Sequence, residues 1–156
     1  MNDDEVLQAF KRNALKTMAQ GLGDASGALI AQLVIEGVPR TKKNHTRRVQ
    51  RGKRIVTIGS SALKLWSDKA QWAIRQAWHH PPHEGPVEVC AQVYRDANRG
   101  DLAGYIQAVG DALAPYDRAA PRILRDDVQI RSWDGTRLHV DSERPRVEIV
   151  IRKFSR

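Results

Sequence analysis

Arg99-Gly100-Asp101-Leu102-Ala103-Gly104-Tyr105-Ile106-Gln107-Ala108-Val109-Gly110-Asp111-Ala112-Leu113 carries its apolar side chains at helical intervals. Leu102, Tyr105, Ile106, Val109, Ala112 and Leu113 follow the i, i+3, i+4, i+7 spacing of one helix face. Asp101 then stands at or just before the helix N-terminus, where the dipole and free N–H groups favour an ionised carboxylate. About two dozen positions later, Arg125-Asp126-Asp127-Val128-Gln129 opens an alternating segment. The alternation predicts a strand over 127–133, with Asp127, Gln129, Arg131 and Trp133 on one face and Val128 and Ile130 towards the core. Carboxylates at these two starts can converge on a metal ion. Asp is equally a preferred N-cap, and adjacent acids before a strand are common turn residues, so both readings stand.

Upstream, residues 86–94 alternate cleanly, with Val87, Val89, Ala91 and Val93 on one face. Arg95 to Gly100 is a polar connection. Ser60-Ser61 offers an N-cap for a helix over 62–78 whose core face is Leu63, Trp66, Ala70, Ala73, Ile74 and Ala77. Leu65 and Trp72 fall on its other side, as a subunit contact or under a loop. His79, His80 and His83 follow beside Pro81 and Pro82, which reads as a surface turn rather than a metal site.

Further back, Arg40, Lys42, Lys43, Arg47, Arg48, Arg51, Lys53 and Arg54 put eight cations in fifteen residues without an acid. Such a run is either a solvated face or a surface for a phosphate backbone, with Asn44 and His45 as hydrogen-bonding interruptions. Ile55 and Thr57 suggest a strand returning to the sheet, which makes the run a basic hairpin. Before it, 29–35 is a strand ending at Glu36-Gly37-Val38-Pro39. Val6, Leu7, Phe10, Ala14, Leu15 and Met18 predict an appended N-terminal helix, followed by the breaker-rich 21–27. Residues 1–28 are thus an extension and linker, and 29–156 a single domain. Downstream, 114–125 should be a loop, Asp134-Gly135 signals a hairpin, and 146–152 is the last strand.

The 156 residues carry 26 Lys and Arg against 18 Asp and Glu, a net charge of +8 that points to a polyanionic partner. The single cysteine, Cys90, excludes an internal disulfide and sits in an apolar run, where a buried thiol is expected. An acidic N-terminus and the lack of a long apolar run argue against a secretory signal or membrane span, so a cytoplasmic protein is expected.

The turn Gly37-Val38-Pro39-Arg40-Thr41-Lys42-Lys43-Asn44, a Trp-bearing helix, a strand, an Asp-led helix with Asp111-Ala112-Leu113 and the Asp126-Asp127-Val128-Gln129 segment occur in a familiar order. In that order they resemble the RusA-type Holliday junction resolvases over roughly residues 30–153. The resemblance implies an α+β fold, with a small mixed sheet and two main helices packed on it. It also implies a bacterial or phage-encoded homodimer that uses Mg²⁺ to hydrolyse phosphodiesters across four-way DNA junctions. Asp101 and Asp127 match family catalytic carboxylates and would be metal ligands together with Asp126. Arg40, Lys42, Lys43, Asn44, Arg47, Arg48, Arg51, Lys53, Arg54 and Arg99 would contact DNA. Ala103 and Gln107 depart from the pattern, standing where the family has an acid and a lysine. The alternative expectation is therefore a catalytically impaired junction- or nucleic-acid-binding protein of the same fold.

Overall fold

The computed structural model describes residues 27–41 and 46–155. The expected N-terminal helix lies outside the described residues, as do Lys42, Lys43 and Asn44 of the basic run. In chain order the elements are β1 (Leu29–Glu36), β2 (Thr46–Arg51), β3 (Arg54–Gly59), α1 (Ser61–Ala77), β4 (Val87–Arg95) and α2 (Leu102–Leu113). A 3-10 turn (Asp127–Gln129), β5 (Ile130–Ser132), β6 (Arg137–Val140) and β7 (Arg146–Lys153) complete them.

Alternation along β1, β7 and β4 builds one apolar face. Ala31, Leu33 and Ile35 stand opposite Ile151, Ile149 and Val147, which in turn stand opposite Val89, Ala91 and Val93. All nine are buried, because Trp66, Ala70, Ala73 and Ile74 of α1 and Tyr105, Ala108, Val109 and Leu113 of α2 cover them. Each fully buried Ile or Val contributes about 1.5–3 kcal/mol relative to exposure, so this layer is the main source of stability. The sheet order is β1-β7-β4, with β5 and β6 both on the far edge of β4. β7 is antiparallel to both neighbours, whereas β5 and β6 run parallel to β4. The fold is the expected α+β arrangement of two helices on a mixed sheet.

On the opposite face, Tyr94 stacks on His139 with ring centres 4.6 Å apart, and the Arg146 guanidinium lies 3.7 Å from the Tyr94 ring. Arg146 also donates to Glu148 at 2.8 Å and to Asp141 at 2.9 Å, which satisfies a buried cation with two carboxylates.

Three local expectations are corrected. β3 pairs only with β2, so the basic hairpin is a separate two-stranded ribbon and does not return to the main sheet. Its side chains are almost all exposed and supply no continuous apolar face to bury. The expected strand over 127–133 shortens to β5 because Asp126 caps a 3-10 turn. Its Oδ1 accepts from Val128 N at 3.0 Å while Gln129 Oε1 accepts from Asp126 N at 2.9 Å. Val128 is consequently 67% exposed instead of core-facing, although Ile130 packs as expected.

Asp134-Gly135 also makes no hairpin, since the segments on either side run in one direction along β4. The break is bridged from β4 itself. Gln92 Nε2 donates to Gly135 O at 2.7 Å, and Ala91 N donates to Thr136 Oγ1 at 3.1 Å.

Candidate functional site

Asp101 is the N-cap of α2. Its Oδ1 accepts from Gly104 N at 2.6 Å, which ties down the first turn of the helix. The approach to it is equally fixed. Gly100 has φ +78°, and a Cβ there would lie 2.7 Å from Tyr105 Oη, so the position requires glycine for both conformation and space. Tyr105 donates its hydroxyl hydrogen to Arg99 O at 2.8 Å, and the buried Arg95 donates to the same oxygen at 3.3 Å. Arg99 in turn pairs with Asp96 at 2.7 Å, and this hydrogen bond is the main reason the Asp96 carboxyl is held below its ordinary range. Burial pushes the Tyr105 phenol up, so it stays a neutral donor at physiological pH.

These groups leave a cleft of about 210 Å³ whose walls include Arg40, Thr41, Arg99, Asp101, Gly104 and Tyr105. Ala103 and Gln107 are exposed one helical turn apart on α2, so neither departure is a core replacement. Asp111 is also exposed and borders a cleft of about 370 Å³ between the helices, with Ser67, Gln71 and Tyr116.

Asp126 and Asp127 lie elsewhere. Leu113 O, at the end of α2, accepts from Ile123 N and Leu124 N at 3.0 and 3.1 Å, and the acidic turn follows directly. Gln129 then donates to His83 O and Gly85 O, both at 2.9 Å, just before the start of β4, and Ile130 stands opposite Val87. The Asp126 carboxyl is held below its usual range, first by the Val128 N–H and then by Asp127. Because α2 runs back along β4, Asp101 belongs to the Arg95 end of the sheet and Asp127 to the Val87 end. Twelve helical residues span about 18 Å, which sets the scale of their separation. Among the described residues, no three His, Cys, Asp or Glu side chains are grouped to hold a metal ion. Asp101 and Asp127 thus stand towards opposite ends of α2.

The ribbon concentrates positive charge. Arg47, Arg48, Arg51, Lys53 and Arg54 are all exposed. Arg51 and Arg54 are directly paired across the strands with Gly52 and Lys53 between them, an arrangement of like charges that costs energy without a counter-charge. One ribbon face carries Arg47, Val49, Arg51, Arg54, Val56 and Ile58, and the other carries Arg48, Gln50, Ile55 and Thr57. Thr41 at the entry lines the Asp101 cleft, and Ser60 at the exit caps α1 by accepting from Leu63 N at 3.2 Å.

Thr41 and Arg95 were hidden in the sequence, the first inside a charge run and the second in a polar connection; only their burial singles them out. On α1, Leu65 and Trp72 are 57% and 56% exposed, on the side away from the core as expected. The histidine segment forms a turn in which Trp78 Nε1 donates to Pro81 O at 3.2 Å and His80 meets Trp78 edge-on. No described helix is long and apolar enough to cross a membrane.

A comparison with curated proteins gives no match. The basic ribbon, the aspartate-capped helix and the Asp-Asp turn all fall within residues 36–152, which match the family model of endodeoxyribonuclease RusA, and the chain belongs to that family.

Proposed function

We propose that the protein resolves four-way DNA junctions by Mg²⁺-dependent phosphodiester hydrolysis, acting as a symmetric homodimer. The observation that carries this reading is the exposed cationic ribbon together with the Asp101 cleft, whose wall includes Arg40 and Thr41, which precede the ribbon in the chain. DNA held by the ribbon's arginines runs past a fixed carboxylate. Phosphate contacts of this kind position a duplex and carry no sequence information directly.

A magnesium ion prefers oxygen ligands in octahedral geometry and, when bound, polarises a phosphoryl oxygen and activates water. The placement of Asp101 and Asp127 towards opposite ends of α2 favours a centre whose carboxylates come from two chains. A two-fold copy that sets Asp101 of one chain beside Asp126 and Asp127 of the other supplies the missing oxygens. It also supplies two equivalent centres for a two-fold junction. Leu65 and Trp72 offer exposed apolar surface for contact between copies. The second reading, a junction-binding protein with impaired catalysis, is favoured by Ala103 and Gln107, which leave the solvent side of α2 near Asp101 without an acid or a lysine.

Binding in chelator tests the DNA grip common to both. The affinity of the native protein for a labelled junction should fall with salt at a log–log slope of about −0.9 per phosphate neutralised. Replacing Arg47, Arg48, Arg51 and Arg54 together with glutamine should make the slope shallower by roughly 3 to 4. An unchanged slope would remove the ribbon from the interface.

A further inference from the structure

We propose that the chain's own segment 4–19 docks as an amphipathic helix on the sheet face opposite α1 and α2. The proposal is independent of the junction-nuclease reading. Side chains alternate along β1, β7 and β4, so Val34, Glu148 and Gln92 form one row of that face and Gln32, Val150 and Cys90 the next. Both described helices pack on the other side. An antiparallel face without a covering layer leaves such side chains in water. Here Val150 is 1% exposed, and Cys90 and Glu148 are each 4% exposed, although neither Val150 nor Cys90 belongs to the apolar cluster under the helices. None of the side chains that this face carries from Gln32 to Glu36, Glu88 to Tyr94 or Arg146 to Arg152 is exposed.

The polar groups agree. Arg146 and Glu148 are buried against each other at 2.8 Å, and the Nε atom of Arg152 is buried with no hydrogen-bond partner. Water on an open face would solvate that nitrogen, whereas an apolar layer shuts it out. Burial also pushes the Cys90 thiol up, against the opposing effect of its hydrogen bond from Gln92.

The occupant follows from the sequence and from the point where the described chain begins. Val6, Leu7, Phe10, Ala14 and Met18 recur at helical spacing, while Glu5, Gln8, Arg12 and Lys16 fall on the other side. A helix over 4–19 would be about 24 Å long, close to the roughly 26 Å of an eight-residue strand such as β1 or β7. The chain enters β1 at a fixed point. Gly27 O accepts from Arg152 Nη1 at 3.3 Å, Ala28 O accepts from Lys153 N at 2.8 Å, and a Cβ at Gly27 would overlap Lys153 O. From there residues 20–26, with Gly21 and Gly23 among them, can reach at most about 25 Å, enough to bring the helix back over the sheet. A tether of this length gives an effective concentration on the order of millimolar, so the chain's own segment outcompetes a second copy for the face.

Cys90 is the chain's single cysteine and lies in this face, so its rate of modification by a thiol reagent reads the cover directly. Full-length protein carrying Leu7→Asp and Phe10→Asp should label about tenfold faster than native or more, because two carboxylates on the apolar side undock the segment. Arg12→Gln with Lys16→Gln, on the outer side, should label as native does. A thermal melt and tryptophan fluorescence separate undocking from loss of the core. Native-like labelling in a folded Leu7→Asp, Phe10→Asp chain would overturn the proposal. So would labelling of the native chain that slows as protein concentration rises, the sign of a second copy as the cover. If the aspartate variant does not fold, the native chain decides. Nuclear Overhauser contacts are expected from the Phe10 ring to the Val34 and Val150 methyl groups, and their absence would overturn the proposal.

Discussion

Asp101→Asn lowers Mg²⁺-supported junction cleavage by about 10²- to 10³-fold, the loss expected when one preorganised group at a phosphoryl centre is removed. Its value as a test comes from the cap. The Asp101 side chain holds Gly104 N at 2.6 Å, and asparagine caps a helix about as well as aspartate, so the first turn of α2 and the cleft geometry are retained. What disappears is the charge, worth about 0.3–1 kcal/mol against the helix dipole, and the melting temperature should fall by no more than a few degrees. Initial cleavage rates with Mg²⁺ and with chelator, beside a thermal melt, check both halves. A variant that cleaves as fast as native would reduce Asp101 to a structural cap.

Ala103→Asp should act in the opposite sense, increasing Mg²⁺-supported cleavage by about tenfold or more. Ala103 is exposed in the first turn of α2, two positions beyond Asp101, so a new carboxylate there displaces nothing from the core. An acid in the first turn is also favoured by the dipole, which offsets the poorer helix propensity of aspartate. Added negative charge attracts a cation and repels a phosphate. A gain in rate therefore requires a metal ion between them, and in chelator the same substitution should only weaken junction binding. Rates and affinities of the variant in both conditions separate the outcomes, and weaker binding without any gain in cleavage would favour the binding-protein reading.

Much of the architecture was legible because alternation and helical spacing are imposed by burial itself. Val87, Val89, Ala91 and Val93 announce a strand facing the core, and Ser60 and Asp101 announce helix starts that the structure bears out with bonds to Leu63 N and Gly104 N. The failures came where side chains compete with the backbone. Asp127 to Gln129 alternate like a strand, but the reciprocal bonds of Asp126 and Gln129 close a 3-10 turn instead. Asp134-Gly135 looks like a hairpin turn, yet Gln92 and Thr136 bridge it to β4 and allow β5 and β6 to continue in one direction.

The candidate site was legible only in part. Residue type and order marked Asp101, Asp126 and Asp127. Their placement towards opposite ends of α2 depends on the long-range packing of the acidic turn against the helix end, which local spacing does not encode. Thr41 carried no signal because a threonine among lysines and arginines reads as solvated, and only its place in the wall of the cleft shows it to be buried.

The central claim, that each active centre combines Asp101 of one chain with Asp127 of another, is tested most directly by mixing two dead variants. Asp101→Asn and Asp127→Asn are unfolded together, refolded as a mixture and assayed on a four-way junction with Mg²⁺. Random pairing makes about half of the dimers mixed, and a mixed dimer built on shared centres has one centre with both carboxylates intact. Cleavage should then return to about a quarter of the native rate, while each variant refolded alone stays inactive. If each chain instead carried its own pair, every centre in every dimer would lack one carboxylate, and a mixture no more active than the separate variants would contradict the account.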